Sequence, residues 1–564
     1  TNPTPTMNHA LTTTATHYST LAHYTTLQTA FALTSRRPLQ RALTNFARRN
    51  NSSSCNKGNV PSNAKTSTST SNNTRTFSSS SSSSSSTTVT TTTTRSSNNI
   101  PKVSTRGQDA VKLLPSYLAD ARAAQPLYHP IDAPHGALQL GVAENYLMQE
   151  GLTSKLTQLQ QSLKFDADQI YYQPTQGRIG TRRAMTRLFN RILSANYCFD
   201  EDCMIVGAGC NAVLENLAIC LAEAGDAVLI PTPYYAAFEF DLVARAGLKI
   251  QPVTTFDFND LNCNGDDSDE PSNKARASTI PVHMYYPNKA ALDAAYERSM
   301  IEHVSTPRIL LLSSPNNPLG VCYPAHVVQE CIDWAEERGV HVISDEIYAG
   351  SVYRTDEGRV PWTSVAELAF HENKKLGPHV HIVYAMSKDF ALSGLRVGAV
   401  YTENEDIAVP LQKLNDLCQI SSQTQVMVEH MLDPALNGGW ADEFLMDSQE
   451  QLKRRCGEVE QCLEEVGVPF LTGEAGLFLW MDFQEFLPAL VDGEGEVSAE
   501  EQAQRERALY LELLQEHGLL FTPGLSMKAE LPGFFRFVFT AATEDEFQVA
   551  LDRIRSFVKS KRGE

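Results

Sequence analysis

Residues 385–398 read Ala-Met-Ser-Lys-Asp-Phe-Ala-Leu-Ser-Gly-Leu-Arg-Val-Gly. A β-type run, His379 to Tyr384, leads into them, so Lys388 stands just past a strand end. Arg396 follows in a loop bracketed by Gly394 and Gly398. A lysine in that position is a candidate nucleophilic amine, because partial desolvation and neighbouring cations lower its pKa. A nearby arginine is a candidate phosphate ligand through paired N–H donors. A solvated lysine and a structural arginine would read the same, so the decision rests on the rest of the chain.

Working outward, short apolar strands alternate with amphipathic helices. Strands are predicted at Cys203–Val206, Ala227–Ile230, Lys249–Pro252, Ile309–Leu312, Val340–Ser344 and Val380–Tyr384. Helices are predicted at Thr181–Ser194, Ala212–Ala224, Tyr235–Ala246 and Pro324–Glu337. This alternation predicts an α/β fold whose large domain has a mostly parallel central sheet covered by helices. After about Leu432 the texture changes. A long charged helix (Gly438–Val466), a strand Phe478–Phe483, a capping-box helix from Ser498 with Glu501 to His517, and a strand Phe534–Phe539 predict a smaller α+β domain.

Three of the predicted strands end in polar residues: Asn317 in Ser-Ser-Pro-Asn-Asn-Pro, Asp345 and Tyr348 in Asp-Glu-Ile-Tyr, and Ser387 with Lys388. Open α/β sheets place their ligands at those carboxyl ends. A fourth turn, Gly207-Ala208-Gly209-Cys210, is small enough for backbone N–H groups and a helix N-terminus to approach an anion. Each turn alone has an ordinary structural explanation.

Together and in this order they resemble the pyridoxal 5'-phosphate (PLP) enzymes of fold type I, aminotransferase class I/II. The resemblance spans about Leu113 to Val558. It is strongest to the 1-aminocyclopropane-1-carboxylate (ACC) synthase-like branch, through Gly141-Val-Ala-Glu-Asn, Pro231-Thr-Pro-Tyr-Tyr, and Ser387-Lys-Asp with Gly394-Leu-Arg-Val-Gly. It implies the PLP-dependent transferase fold, PLP as cofactor, no metal, and a homodimer. Lys388 would attach the cofactor and shuttle the Cα proton. Asp345 would pair with the pyridine nitrogen, and Asn317 and Tyr348 with the ring oxygen. Tyr235 would stack on the ring. Arg396, Ser387 and the backbone of Ala208, Gly209 and Cys210 would hold the phosphate. Arg536, half buried on its strand, would clamp the substrate carboxylate. Ala143, Glu144 and Thr175 would complete the substrate side.

This sequence departs from the family in informative places. Ala385 stands where a phosphate-touching hydroxyl is frequent, and Gly209 replaces a common threonine. In Gln173-Pro-Thr-Gln-Gly177, Thr175 stands where ACC synthases carry a tyrosine that reaches a neighbouring subunit. Glu144, in the segment associated with S-adenosylmethionine selection, is retained. The leading expectation is therefore an aminotransferase for an α-amino acid and a 2-oxo acid. The alternative is an ACC synthase-like lyase using S-adenosylmethionine, and a non-catalytic scaffold ranks third.

Composition narrows the partners. The 564 residues carry a formal net charge of −19. The first acidic residue is Asp109. Eleven Lys and Arg precede it, so the remainder holds 36 basic against 66 acidic residues. So acidic a body is a poor non-specific ligand for nucleic acid. The Arg183, Arg187, Arg191 stripe is accordingly read as a solvated helix face. No apolar run approaches a membrane span of about 20 residues. The eleven cysteines lack CxxC spacing, which favours a reducing, intracellular setting.

Residues 1–108 are predicted to be disordered. They are rich in Ser, Thr and Asn and include the homopolymer Ser78–Ser86. An acid-free, Arg-rich stretch at Ala30–Asn50 has the composition of a mitochondrial or plastid transit peptide; without one, the expectation is cytoplasmic. The remaining organisation is read as an arm joining the small domain (109–150), the large PLP-binding domain (151–432) and the small domain (433–564). An acid-rich exposed insertion is expected at Asp257–Ser278.

Overall fold

The computed structural model describes residues 103–113, 115–194, 196–255, 280–302, 304–355, 362–368, 375–489 and 498–564, all within one compact unit. The transit-peptide stretch and the 257–278 insertion lie outside these residues. The last residues of the region expected to be disordered do not: Thr105–Lys112 is a helix capped by Ser104, whose side chain accepts from Gly107 N.

Among the described residues, thirteen strands are numbered in chain order. They are β1 Leu138–Gln139, β2 Met204–Gly207, β3 Ala227–Pro231, β4 Lys249–Val253, β5 Pro307–Ser313, β6 His341–Asp345, β7 Val380–Ala385, β8 Gly398–Thr402, β9 Phe470–Leu471, β10 Phe478–Asp482, β11 Leu519–Leu520, β12 Thr522–Pro523 and β13 Phe534–Val538. The central sheet has the order β2-β8-β7-β6-β5-β3-β4. Strands β7, β6, β5, β3 and β4 run parallel, and β8 is antiparallel to both neighbours. Both faces are buried. Leu310, Val342 and Ile382 pack on one side with helix Ile179–Ile192, while Ile309, Ile343 and Val383 pack on the other with helix Cys210–Leu221. Continuous apolar strands are what a sheet covered on both faces requires.

A second sheet, β12-β13-β10-β9, is antiparallel. Helices Trp440–Glu465, Ala499–Gln515 and Glu544–Arg562 share its core through Leu452, Leu509 and Phe557. Near the amino terminus, β1 pairs in parallel with β11, joining Leu138 to Leu519.

Several expectations need correction. The helix expected at Tyr235–Ala246 is only Phe238–Val243. Residues 235–237 form a turn, which leaves the Tyr235 ring free to face a cavity. The long charged helix begins at Trp440, because Gly438 and Gly439 sit at φ +71° and +91° and end the preceding helical turn. Ser498 accepts from Glu501 N without the reciprocal bond. The complete capping box belongs to Thr543 and Glu546 at the last helix. The arginine stripe on helix Ile179–Ile192 is a solvated face tied down by ion pairs: Arg183 to Glu201, Arg187 to Asp433 and Arg191 to Asp442.

Candidate active site

The central strands deliver their carboxyl-terminal residues to one cavity of about 260 Å³. β5 leads to Asn317, β6 ends at Asp345, and β7 runs into a single helical turn, Met386–Asp389, that carries Lys388. Ala143, Glu144, Cys210, Tyr235, Asn317, Asp345, Tyr348, Ser387, Lys388, Arg396 and Arg536 all line that cavity. They come from segments spread over nearly 400 positions of sequence, brought together by the sheet order rather than by chain proximity.

Lys388 Nζ donates to Ala143 O at 2.6 Å. Burial lowers its pKa to about 8; Glu144 opposes the shift, while Arg536 and Arg396 add to it. Asp345 is buried, and burial pushes its carboxyl up to about 7 against the opposing Ile347 N–H; Asp241 adds repulsion and Lys388 attraction. Only the Ile347 N–H, at 3.3 Å, is described as donating to it. A carboxyl so placed has a strong preference for a cationic partner. Tyr348 Oη is buried with no hydrogen-bond partner, and burial holds the phenol well above its ordinary pKa.

Arg536 is more deeply placed than expected, at 1% exposure. It donates to Asn317 Oδ1 (2.7 Å), Gly141 O (2.7 Å) and Thr522 Oγ1 (3.1 Å), and its Nε is buried without a partner. Among the described residues none of its partners is a carboxylate. A buried cation held only by neutral oxygens favours an anion beside it.

The glycine turn packs tightly against the arginine loop. A Cβ at Gly209, where φ is +87°, would lie 2.5 Å from Arg396 Nη2. A Cβ at Gly398 would strike the Gly209 backbone at 2.5 Å. The space that a threonine side chain would use at position 209 is occupied by Arg396. Arg396 is exposed, left-handed at φ +54°, and donates to Ser393 O at 2.9 Å and Asn211 Oδ1 at 3.4 Å. The backbone donors of the turn are not equivalent. Ala208 N is taken by Cys418 O and Gly209 N by Gly207 O, both at 2.8 Å. Cys210, the first helical residue, is the one of the three that lines the cavity, and its N–H lies at a helix N-terminus.

Thr175 is not among the lining residues; its carbonyl accepts from Asn415 Nδ2 at the edge of β2. Other lining residues escaped the sequence reading. Asp241 is buried, takes both hydrogen bonds of Asn211 Nδ2 (2.8 and 2.7 Å), and is raised to about 6 by burial. Ser393 Oγ lies 3.0 and 2.9 Å from the two Glu144 carboxylate oxygens. Tyr117 and Phe238 close the rim. Ser393 lies inside the 385–398 stretch, whereas the others belong to no local motif; Asp241 stands in Phe-Glu-Phe-Asp, which reads as an ordinary helix face.

The donor set fits a phosphorylated pyridine aldehyde: a low-pKa amine, a buried carboxyl without a cation, an orphaned phenol, and a glycine-lined basic cup. The family model for aminotransferase class I and II matches residues 137–554. The chain belongs to that family. Within it, the chain falls in the ACC synthase-like branch of fold type I enzymes and is PLP-dependent. It is 31% identical over 441 residues to ACC synthase 1 of Prunus mume, covering 77% of this chain and 80% of that one. ACC synthase 5 of Oryza sativa subsp. japonica is 32% identical over 446 residues, with 77% and 76% covered. Among solved structures, aspartate aminotransferase of Thermotoga maritima superposes with a TM-score of 0.57 at 20% identity, over 81% of this chain and all of that one. The Thermus thermophilus aspartate aminotransferase with maleate gives 0.58 at 19%, over 81% and 100%. At such identities the structures establish the fold, a PLP-dependent transferase fold with a mostly parallel sheet. Among the described residues no helix is long and apolar enough to cross a membrane.

Proposed function

We propose that this enzyme is an aminotransferase moving an amino group between an α-amino acid and a 2-oxo acid. Arg536 carries the reading. Its buried guanidinium has only neutral partners and shares a cavity with Lys388, and the carboxylate is the group that an amino acid and a 2-oxo acid have in common. One arginine therefore serves both half-reactions.

Bound PLP supplies an electron sink for the pair left when a Cα–H bond breaks. The chain's own residues do the rest. Asp345 would hold the pyridine nitrogen in its protonated form, which would satisfy its own buried charge. Tyr348 and Asn317 would donate to the ring oxygen, and Tyr235 would pack on the ring. Arg396, Ser387 and the Cys210 N–H would hold the phosphate. Arg536 orients the substrate by its carboxylate. Lys388 Nζ, with a pKa near 8, accepts the Cα proton and returns it.

Steady-state assays of amino transfer from a panel of donors test this reading. PLP-loaded protein that transfers from no donor would refute it.

A second reading has specific support. Glu144 lines the cavity, where a carboxylate would attract the sulfonium of S-adenosylmethionine, and the relatives named above are ACC synthases. Formation of ACC from S-adenosylmethionine would favour that lyase reading. Thr175, which lacks a phenol, ranks it second. A non-catalytic scaffold would have no use for Lys388, Asp345 and Arg536 together.

We also infer a homodimer. Tyr171 and Tyr172 stand 69% and 102% exposed on the loop that, in this family, serves a partner's site.

A further inference from the structure

The short helix Ser116–Ala123 precedes the stretch matched by the family model, yet it reaches the active-site cavity. Tyr117 is its only buried residue, at 4% exposure, and Tyr117 and Leu118 both line the cavity. The Tyr117 phenol lies within electrostatic reach of Arg536 and Tyr235, which line the same cavity. No hydrogen bond is described for its hydroxyl. The rest of the helix is held mainly by charge. Asp120 accepts from both terminal nitrogens of Arg507 on helix Ala499–Gln515, at 2.5 and 3.1 Å. The Arg507 guanidinium also lies 5.1 Å from the centre of the Tyr510 ring.

An eight-residue helix with one buried side chain has little packing of its own. Its place depends on the Tyr117 ring and on the Asp120–Arg507 fork, a two-point geometry that fixes orientation as well as distance. We propose that Tyr117 is a specificity-determining residue whose ring bounds the space left for the substrate side chain, and that the Asp120–Arg507 pair positions it. This rests on the reading of the site as one for α-amino acids.

The test uses the PLP-loaded full chain and a series of 2-methyl amino acids, from 2-methylalanine to 2-methylphenylalanine. These lack a Cα–H bond, so neither amino transfer nor elimination proceeds, and binding is read from the cofactor's absorption. Tyr117→Ala should tighten the largest ligand relative to the smallest at least tenfold, and Tyr117→Phe should keep the wild-type ratio. Arg507→Met, which keeps the Tyr117 side chain but unties the helix, should shift the ratio in the same direction by less. Equal effects of Tyr117→Ala across the series, or none, would overturn the proposal while leaving the amino-acid reading intact. Should Tyr117→Ala not fold, an unchanged ratio in Arg507→Met would overturn it. A wild-type enzyme that binds no member of the series would contradict the amino-acid reading itself, and the Tyr117 proposal with it.

Discussion

Asp345 illustrates what a cofactor site costs a chain at the scale of one residue. Its ordinary pKa of 3.8 is raised to about 7 by burial. For such a group the stability contribution is fully present below the unfolded pKa and is lost as pH rises through about 7, where the folded chain must hold a desolvated charge. In cofactor-free protein, Asp345→Asn should therefore melt higher than wild type at pH 8 and close to it at pH 4. With PLP bound, the same variant should lose about 10²-fold or more in kcat, because the pyridine nitrogen loses its counter-charge. Thermal melts at the two pH values, paired with kinetics, check both signs. A lower apo melting point at pH 8 would show that the carboxylate is stabilising as it stands. Arg536→Gln should raise KM strongly and lower kcat/KM by about 10²-fold, from the loss of charge-assisted bonds of about 1.5–3 kcal/mol each. A carboxylate-free amine substrate should lose no affinity, which separates clamp loss from misfolding.

At the scale of elements, the phosphate cup depends on two backbones touching. Gly398 opens β8 and Gly209 closes the turn after β2, with no room for a Cβ between them. Gly398→Ala should destabilise the fold by about 1–3 kcal/mol through overpacking and weaken PLP binding, although residue 398 does not line the active-site cavity. Denaturant titration and cofactor equilibrium dialysis measure the two effects; unchanged PLP affinity would mean that the turn can shift freely. This contact explains what was readable in advance. Strand ends followed by Asn317, Asp345 and Lys388 are local patterns, so the sheet and the cofactor motif were legible. The apolar strands betrayed burial on both faces for the same reason. Asp241, Asn211 and Tyr117 meet the cavity only through tertiary packing, which carries no periodic signal. The helix start misread at Tyr235 has a related cause, since its apolar spacing matches a helix while the residues form a turn that serves the site. Gly438 and Gly439 were the opposite case, a local breaker outweighed in the reading by a long charged pattern.

At the scale of the whole molecule, the inferred homodimer makes its own prediction. The Tyr171–Gly177 loop leaves two tyrosines in solvent, and Thr175 stays outside the chain's own cavity. Monomeric protein should accordingly be inactive; activity measured together with light scattering tests this, and an active monomer would refute it. The acidic net charge and the sheet architecture fit either reaction, so the choice between amino transfer and elimination turns on Glu144 and Arg536 in the cavity and on Thr175 outside it. The most direct measurement is product identification by mass. PLP-loaded enzyme would be incubated with a 2-oxo acid, S-adenosylmethionine and a panel of nitrogen-labelled amino acids. The expected result is labelled nitrogen in the amino acid formed from the 2-oxo acid. ACC as the product, with no label transferred from any donor, would contradict it.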